Sequence, residues 1–354
     1  MRIVFSIAHV TIGGAQRVCI NLIRWLQENT SSEILLLVSS KKRDGDFKYD
    51  LEGISYKYAP KATFDKIKFL RNETKKFHAD IFVTFGVPSC LFDIPATIGL
   101  NLRHIVCERN DPAHFAGKTS TKIVSRLLMR LANGYVFQTK GAQDYYGGNI
   151  ARNSVVIPNP VFDVENLPTE PYNGESTKTI VSVGRLNPQK NYLMLINAFK
   201  IISEKHPEYR LIIYGEGPER AKEEALIREL NIEDRVLLPG TTKNVYDSIH
   251  KASIFVLSSD FEGMPNALME AMVMGLPCIS TDCPCGGPSD LIRNNEDGIL
   301  IPVNDKNALV NALEYMIDNP EKAKQMGKNA MDIRKRLSVD SVCSMWYSYF
   351  NNRN

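Results

Sequence analysis

Short apolar runs that recur along the chain, separated by longer amphipathic segments, constrain its fold more than any other feature. The runs are apolar at successive positions, not at every second one. A strand with one wet face alternates. A strand apolar throughout is covered on both faces, as in a parallel sheet flanked by helices. Strands are predicted at 2–8, 33–39, 80–85, 104–108, 135–139 and 154–157, and again at 179–183, 209–214, 235–238, 253–257, 277–281 and 298–301. Among the segments between them, the clearest follows Pro188, where Tyr192, Leu195, Ile196, Phe199 and Ile202 share one helical face. Asn187 is its predicted N-cap and Pro188 its first residue. Strand–helix alternation over 354 residues predicts an α/β protein of two doubly wound, Rossmann-like domains with parallel sheets facing a central cleft.

The pattern breaks once, at 162–177, where Pro168, Pro171 and Gly174 interrupt a polar stretch. This is the predicted linker between domains at 1–161 and 178–337. A last helix at 338–354, rich in aromatics (Trp346, Tyr347, Tyr349, Phe350), is expected to pack back on the first domain. The net charge of +3 is unevenly shared. Residues 1–160 hold 22 Lys and Arg against 13 Asp and Glu, and the remainder is net acidic. A basic half suits a polyanion or an anionic membrane, and ordinary solvated charge is the plain alternative. No apolar stretch nears the ~18 residues of a spanning helix. The N-terminus is too interrupted for a signal peptide. Seven scattered cysteines, an odd number, point to reduced thiols in the cytoplasm.

Several loops after strands could carry chemistry. Gly13-Gly14, before a helix, lets a ligand approach backbone N–H groups at a positive helix end. Gly215-Glu216-Gly217 lacks the third glycine of a dinucleotide fingerprint, having Arg220 there, so that reading is rejected. Asp44-Gly45-Asp46 has a metal–nucleotide spacing but lies among Lys41, Lys42 and Arg43 with no supporting ligand, and reads as a solvated turn. Cys283 and Cys285 are too few for zinc. No metal site is expected. The segment from Gly184 to Asn191 places Arg185 and Lys190 around a strand-to-helix turn, which makes a diphosphate site. The strongest segment runs from Asp260 to Ala271. Glu262 lies in a loop, Pro265 opens a helix and Gly275 ends it. Glu270 falls on an apolar helix where ribose hydroxyls would supply its hydrogen bonds.

Together Glu262 and Glu270 with seven residues between them, Gly184-Arg185…Lys190-Asn191, and Gly13-Gly14 resemble glycosyltransferase family 4. That family contains retaining, nucleotide-sugar-dependent enzymes of the two-domain GT-B fold. The resemblance covers nearly the whole chain and is most specific from 179 to 303. It implies an acceptor-side N-terminal domain and a donor-binding C-terminal domain. Arg185 and Lys190 would hold the donor diphosphate, Glu262 would lie by the donor sugar and Glu270 would bind the ribose. The backbone of Gly263, Met264, Pro265, Asn266 and Ala267 would cap the phosphates. Leu237 would lie beside the base, and Gly13-Gly14 would close the other side of the cleft. Where many members carry a histidine near the anomeric carbon, this chain has Arg109, after Glu108 and between His104 and His114. Arg109 could pair with the leaving phosphate or an acceptor anion, or form a surface pair with Glu108.

The resemblance implies a cytoplasmic hexosyltransferase, peripheral at the inner face of the cell membrane. It would move a hexose or N-acetylhexosamine from a UDP-sugar, without metal, to a polyprenyl-diphosphate-linked saccharide in bacterial surface polysaccharide synthesis. Alternatives are a nucleotide-sugar epimerase of the same fold and a non-catalytic sugar- or nucleic-acid-binding protein. No nucleic-acid motif supports the last.

Overall fold

In the computed structural model, the described residues are 1–11, 13–40, 50–114, 118–162, 164, 167–171, 177–242 and 244–352. Ile12 and the Asp44-Gly45-Asp46 turn lie outside them, as does much of the 162–177 segment. The chain forms two units. One comprises Met1–Pro160 with Val339–Asn354, and the other Val161–Ser338.

Seven described strands of the first unit make one parallel sheet: β1 (Arg2–Ile7), β2 (Glu33–Val38), β3 (Tyr56–Tyr58), β4 (Ile81–Phe85), β5 (Arg103–Cys107), β6 (Gly134–Phe137) and β7 (Ser154–Val156). Their order is β3-β2-β1-β4-β5-β6-β7. β1 and β4 are buried at nearly every position, which is why they read as unbroken apolar runs. β3 escaped the sequence reading because it is a three-residue edge strand, Tyr56-Lys57-Tyr58, with no fully buried position. The helix Val339–Asn351 completes this unit. Its Trp346 stacks on Phe85 with ring centroids 6.0 Å apart, and its Phe350 meets Phe5 edge-on at 6.3 Å. Arg103 Nη1 donates to the Tyr349 carbonyl at 2.7 Å.

A buried polar chain runs through the same unit. Asp93 accepts from Ser6 and Thr84 hydroxyls, each at 2.9 Å. His104 bonds Thr84 Oγ1 through Nε2 at 2.8 Å and Thr97 Oγ1 through Nδ1 at 2.7 Å. Burial raises the Asp93 pKa to about 7 against Thr84, Ser6 and Lys66, and lowers that of His104 to about 3.

Six described strands of the second unit form another parallel sheet: β8 (Thr179–Val183), β9 (Arg210–Tyr214), β10 (Val236–Gly240), β11 (Ile254–Leu257), β12 (Cys278–Thr281) and β13 (Ile299–Ile301). The order is β10-β9-β8-β11-β12-β13. Phe199, Ile202, Leu211, Val256, Leu309 and Leu313 anchor its core. Strand order reverses between β8 and β11, and the carboxyl ends of strands at such a reversal are where an open parallel sheet takes its ligands. The first unit has the same reversal between β1 and β4.

The predicted cap of the helix after β8 is corrected. Asn187 caps a short 3-10 turn, Pro188–Lys190, and the α-helix itself is Tyr192–Lys205. Its cap is Asn191, which adopts left-handed backbone (φ 47°) and accepts from the Met194 N–H. Asparagine tolerates that conformation better than most residues.

Candidate active site

In the second unit, the loops after β8 and β11 are tied together at the carboxyl ends of their strands. The Asp260 N–H donates to the Gln189 carbonyl at 2.8 Å. Ser258 Oγ donates to the Lys190 carbonyl at 2.8 Å, and Asn191 Nδ2 to Asp260 Oδ1 at 2.7 Å. Gln189 Nε2 reaches the Phe261 carbonyl at 2.8 Å. These bonds hold two strand ends in register, so the side chains between them have fixed positions.

Glu262 occupies the centre. Its Oε1 accepts from Lys190 Nζ at 2.5 Å and from Ser259 Oγ at 2.7 Å, and its Oε2 faces Gln189 Nε2 at 3.4 Å. The two charged side chains are only 14% and 9% exposed, so this is a buried ion pair and not a surface contact. An ammonium has three donors. Lys190 uses one of them on Glu262, and its other two meet no side-chain or backbone acceptor among the described residues. Arg185 differs. It is exposed and has neither an ion pair nor a side-chain hydrogen bond among the described residues. One cation is therefore held by the protein, and the other is unpaired among the described residues.

Glycines let the backbone close in around these groups. A Cβ on Gly184 would lie 2.6 Å from Tyr192 Oη and 2.9 Å from Lys190 Cε. A Cβ on Gly287 would overlap the Gly263 carbonyl oxygen, and one on Gly215 the Gly184 carbonyl oxygen. Met264 and Pro265 are buried, while Asn266 and Ala267 are half-buried at the start of the helix Asn266–Val273. Pro265 is the N-cap, and Gly275 takes left-handed backbone (φ 71°) beyond the helix end. Glu270 stands on this helix, half-buried. Arg334 Nη2 donates to the Val273 carbonyl at 2.7 Å, anchoring the last turn. Leu237, on edge strand β10, leaves 42% of its surface exposed.

Ser259, Gln189 and Gly287 belong to this arrangement and were missed by the sequence reading. The polar triplet Ser258-Ser259-Asp260 directly after an apolar strand was the available signal. Cys283 and Cys285 are buried, and burial pushes the Cys283 thiol up to about 12. Among the described residues no group of three or more His, Cys, Asp or Glu side chains could hold a metal.

In the first unit Gly13 caps the helix Gly14–Asn29. Gln16 Oε1 fills the space a Gly13 side chain would need. Arg109 does not form a surface pair with Glu108. Glu108 is buried and accepts from the Arg109 backbone N–H at 3.0 Å and the Tyr146 hydroxyl at 2.9 Å. The Arg109 guanidinium donates through Nη2 to Asn159 Oδ1 and lies 5.2 Å from the Phe85 ring centroid. Its Nε and Nη1 are buried without a partner among the described residues. Burial lowers its pKa to about 10, which leaves it cationic at neutral pH. Unmet buried donors on a cation are costly, and an incoming anion would relieve them. His104 is sequestered in the core chain described above. His114 pairs with Asp111 at 3.0 Å.

Residues 163–332 match the family of glycosyl transferases group 1. A Haemophilus influenzae protein known as an uncharacterized glycosyltransferase is 26% identical, over 94% of this chain and 95% of its own. A Campylobacter jejuni enzyme is also 26% identical, over 98% of this chain and 97% of its own. It is named GalNAc-alpha-(1->4)-GalNAc-alpha-(1->3)-diNAcBac-PP-undecaprenol alpha-1,4-N-acetyl-D-galactosaminyltransferase. Among solved structures, Anabaena Alr3699/HepE in complex with UDP superposes with a TM-score of 0.84 at 19% identity. The match covers 98% of this chain and 99% of that one.

Proposed function

We infer that this chain, a GT-B glycosyltransferase whose residues 163–332 belong to the glycosyl transferases group 1 family, moves a hexose or N-acetylhexosamine from a UDP-sugar to a polyprenyl-diphosphate-linked saccharide. The observation that carries this reading is the pair of loops after β8 and β11, with Lys190 locked on Glu262 and Arg185 left open beside them. Likeness to an enzyme named for an undecaprenol-linked acceptor supports the acceptor class.

Arg185 and the free donors of Lys190 bind the diphosphate. As the glycosidic bond breaks, charge accumulates on that diphosphate, so fixed cations favour the transition state over the bound donor. Backbone N–H groups of Gly263, Met264, Asn266 and Ala267, at a helix start, take the remaining phosphate oxygens. Gly184 permits the close approach, Glu270 receives the ribose and Leu237 lies against the base. Glu262 is fully engaged by Lys190, Ser259 and Gln189, so it holds the cation and contacts the sugar but is no free nucleophile. The configuration is then retained through front-face attack, with the departing diphosphate accepting the acceptor's proton. In the first unit, Arg109 offers its unmet N–H groups to a phosphate. No metal is required.

The test is a screen of UDP-sugars for UDP release with a lipid-linked saccharide present. Release should depend on acceptor, persist in EDTA and yield a product with the donor's anomeric configuration. Product from the UDP-sugar alone would point to an epimerase. Loss in EDTA with recovery in Mg²⁺ or Mn²⁺ would assign the diphosphate to a metal.

A further inference from the structure

The helix Thr119–Met129, in the first unit, is turned inside out. Ile123 and Leu127 are spaced four apart and so lie in one row on its surface, and Leu131 follows in the turn just past its end. They are 55%, 55% and 61% exposed, with Val124 beside them at 43%. Ser125 and Met129 take the buried face. A helix on a globular surface ordinarily does the reverse, burying its aliphatic stripe and wetting its polar one. Four exposed large aliphatic side chains within nine residues mark a surface that meets another apolar phase.

The charge around the stripe is of one sign. From Pro112 to Gln143 the sequence has five Lys or Arg and no Asp or Glu. Arg130 is exposed at the end of the stripe. Arg126 lies 5.0 Å from the ring centroid of half-exposed Tyr145 and donates to its hydroxyl at 2.9 Å. Lys122 donates to the Ala113 carbonyl at 3.0 Å. A second copy using the same patch would set these cations against themselves, which charge complementarity forbids. An aliphatic stripe with cations and a tyrosine at its margin instead fits a lipid bilayer of negative surface charge.

We propose that the helix Thr119–Met129 is the membrane-seating surface of this protein. Ile123, Val124, Leu127 and Leu131 enter the acyl region, while the exposed Lys118 and Arg130 lie among anionic head groups. The proposal deepens the reading of a lipid-linked acceptor and draws its purpose from it, but its test does not use the transfer reaction. Association is therefore partly salt-resistant, because burial of the stripe is not screened.

The whole chain is floated with vesicles of equimolar phosphatidylcholine and phosphatidylglycerol. Ile123→Ser, Leu127→Ser and Leu131→Ser combined should lower vesicle partition at least ~10-fold at low and at high salt. Hydrogen-exchange protection across 1–160 should be unchanged, which shows that the unit carrying the substitutions is folded. All seven native cysteines are buried, so a polarity-sensitive dye on Leu127→Cys reports that site alone. Its emission should shift to the blue with these vesicles, and that of Tyr315→Cys should not. Wild-type partition in the triple variant, an unshifted Leu127→Cys dye, or a stable dimer lost in the triple variant would overturn the proposal. A wild-type chain that floats but does not bind UDP would remove the donor assignment and leave this surface standing.

Discussion

Arg185 and Lys190 are separated by four residues and have opposite structural standing. Arg185 is exposed and unpaired among the described residues, so Arg185→Ala removes only what it does for a ligand. UDP affinity or kcat/KM should fall ~10–100-fold, the worth of one hydrogen bond to a charged group, while Tm stays within experimental error. Lys190→Ala leaves the Glu262 carboxylate buried without its counter-ion. Breaking a buried pair from one side costs about 3–5 kcal/mol, so Tm should drop as well as activity. Lys190→Met with Glu262→Gln should recover most of the lost stability and none of the turnover. Equal melting of both single alanine variants would show that the pair is not buried in solution. Positions of Arg185, Lys190 and Glu262 on loops after strands were legible in the sequence. Their pairing was not, because Lys190 and Glu262 lie 72 residues apart and meet only once two strands are neighbours.

Strands announced themselves because parallel strands covered on both faces are apolar throughout. Caps and edges were harder. Asn-Pro at 187–188 is a strong helix-start signal, and it was satisfied by a 3-10 turn just before the true cap at Asn191. The tight approach of the short helix Gly287–Leu291 to the loop after β11 left no periodic trace, only a glycine pair. Gly287→Ala should displace the Gly263 peptide, lower kcat/KM by up to ~100-fold and cost about 1–3 kcal/mol. Wild-type kinetics in that variant would mean the loop yields freely. The buried chain linking β1, β4, β5 and the helix Cys90–Thr97 sets a pH dependence. Asp93, raised to about 7, contributes stability below pH ~4 that is lost as pH rises through 7. His104, lowered to about 3, contributes stability above pH ~6.5 that is lost as pH falls toward 3. Between pH ~4 and ~6.5 the two slopes, each about 1.4 kcal/mol per pH unit, oppose and cancel. Asp93→Asn should uncover the histidine slope in urea titrations, with stability falling as pH drops from ~6.5 to ~4. A profile parallel to wild type would refute the cancellation.

The N-terminal unit depends on a helix made more than 180 residues after its last strand. Trp346, buried against Phe85 and Phe350, is the largest fully buried side chain in the protein. Trp346→Ala should cost about 3–5 kcal/mol. Hydrogen exchange should show protection lost across 1–160 and kept across 161–338, and loss in both segments alike would mean that the two cores do not unfold separately. The unit is thus written in two pieces with the whole of 161–338 between them. On a ribosome, the part begun first is finished second. While the intervening segment emerges and folds, the nascent sheet waits with Phe5 and Phe85 uncovered, a surface that a chaperone can grip and a protease can test. A translation product halted before Val339 would carry one complete unit and one that cannot close. Digestion of such arrested chains should release an intact 161–338 fragment, and a resistant 1–160 fragment would show that the closing helix is dispensable.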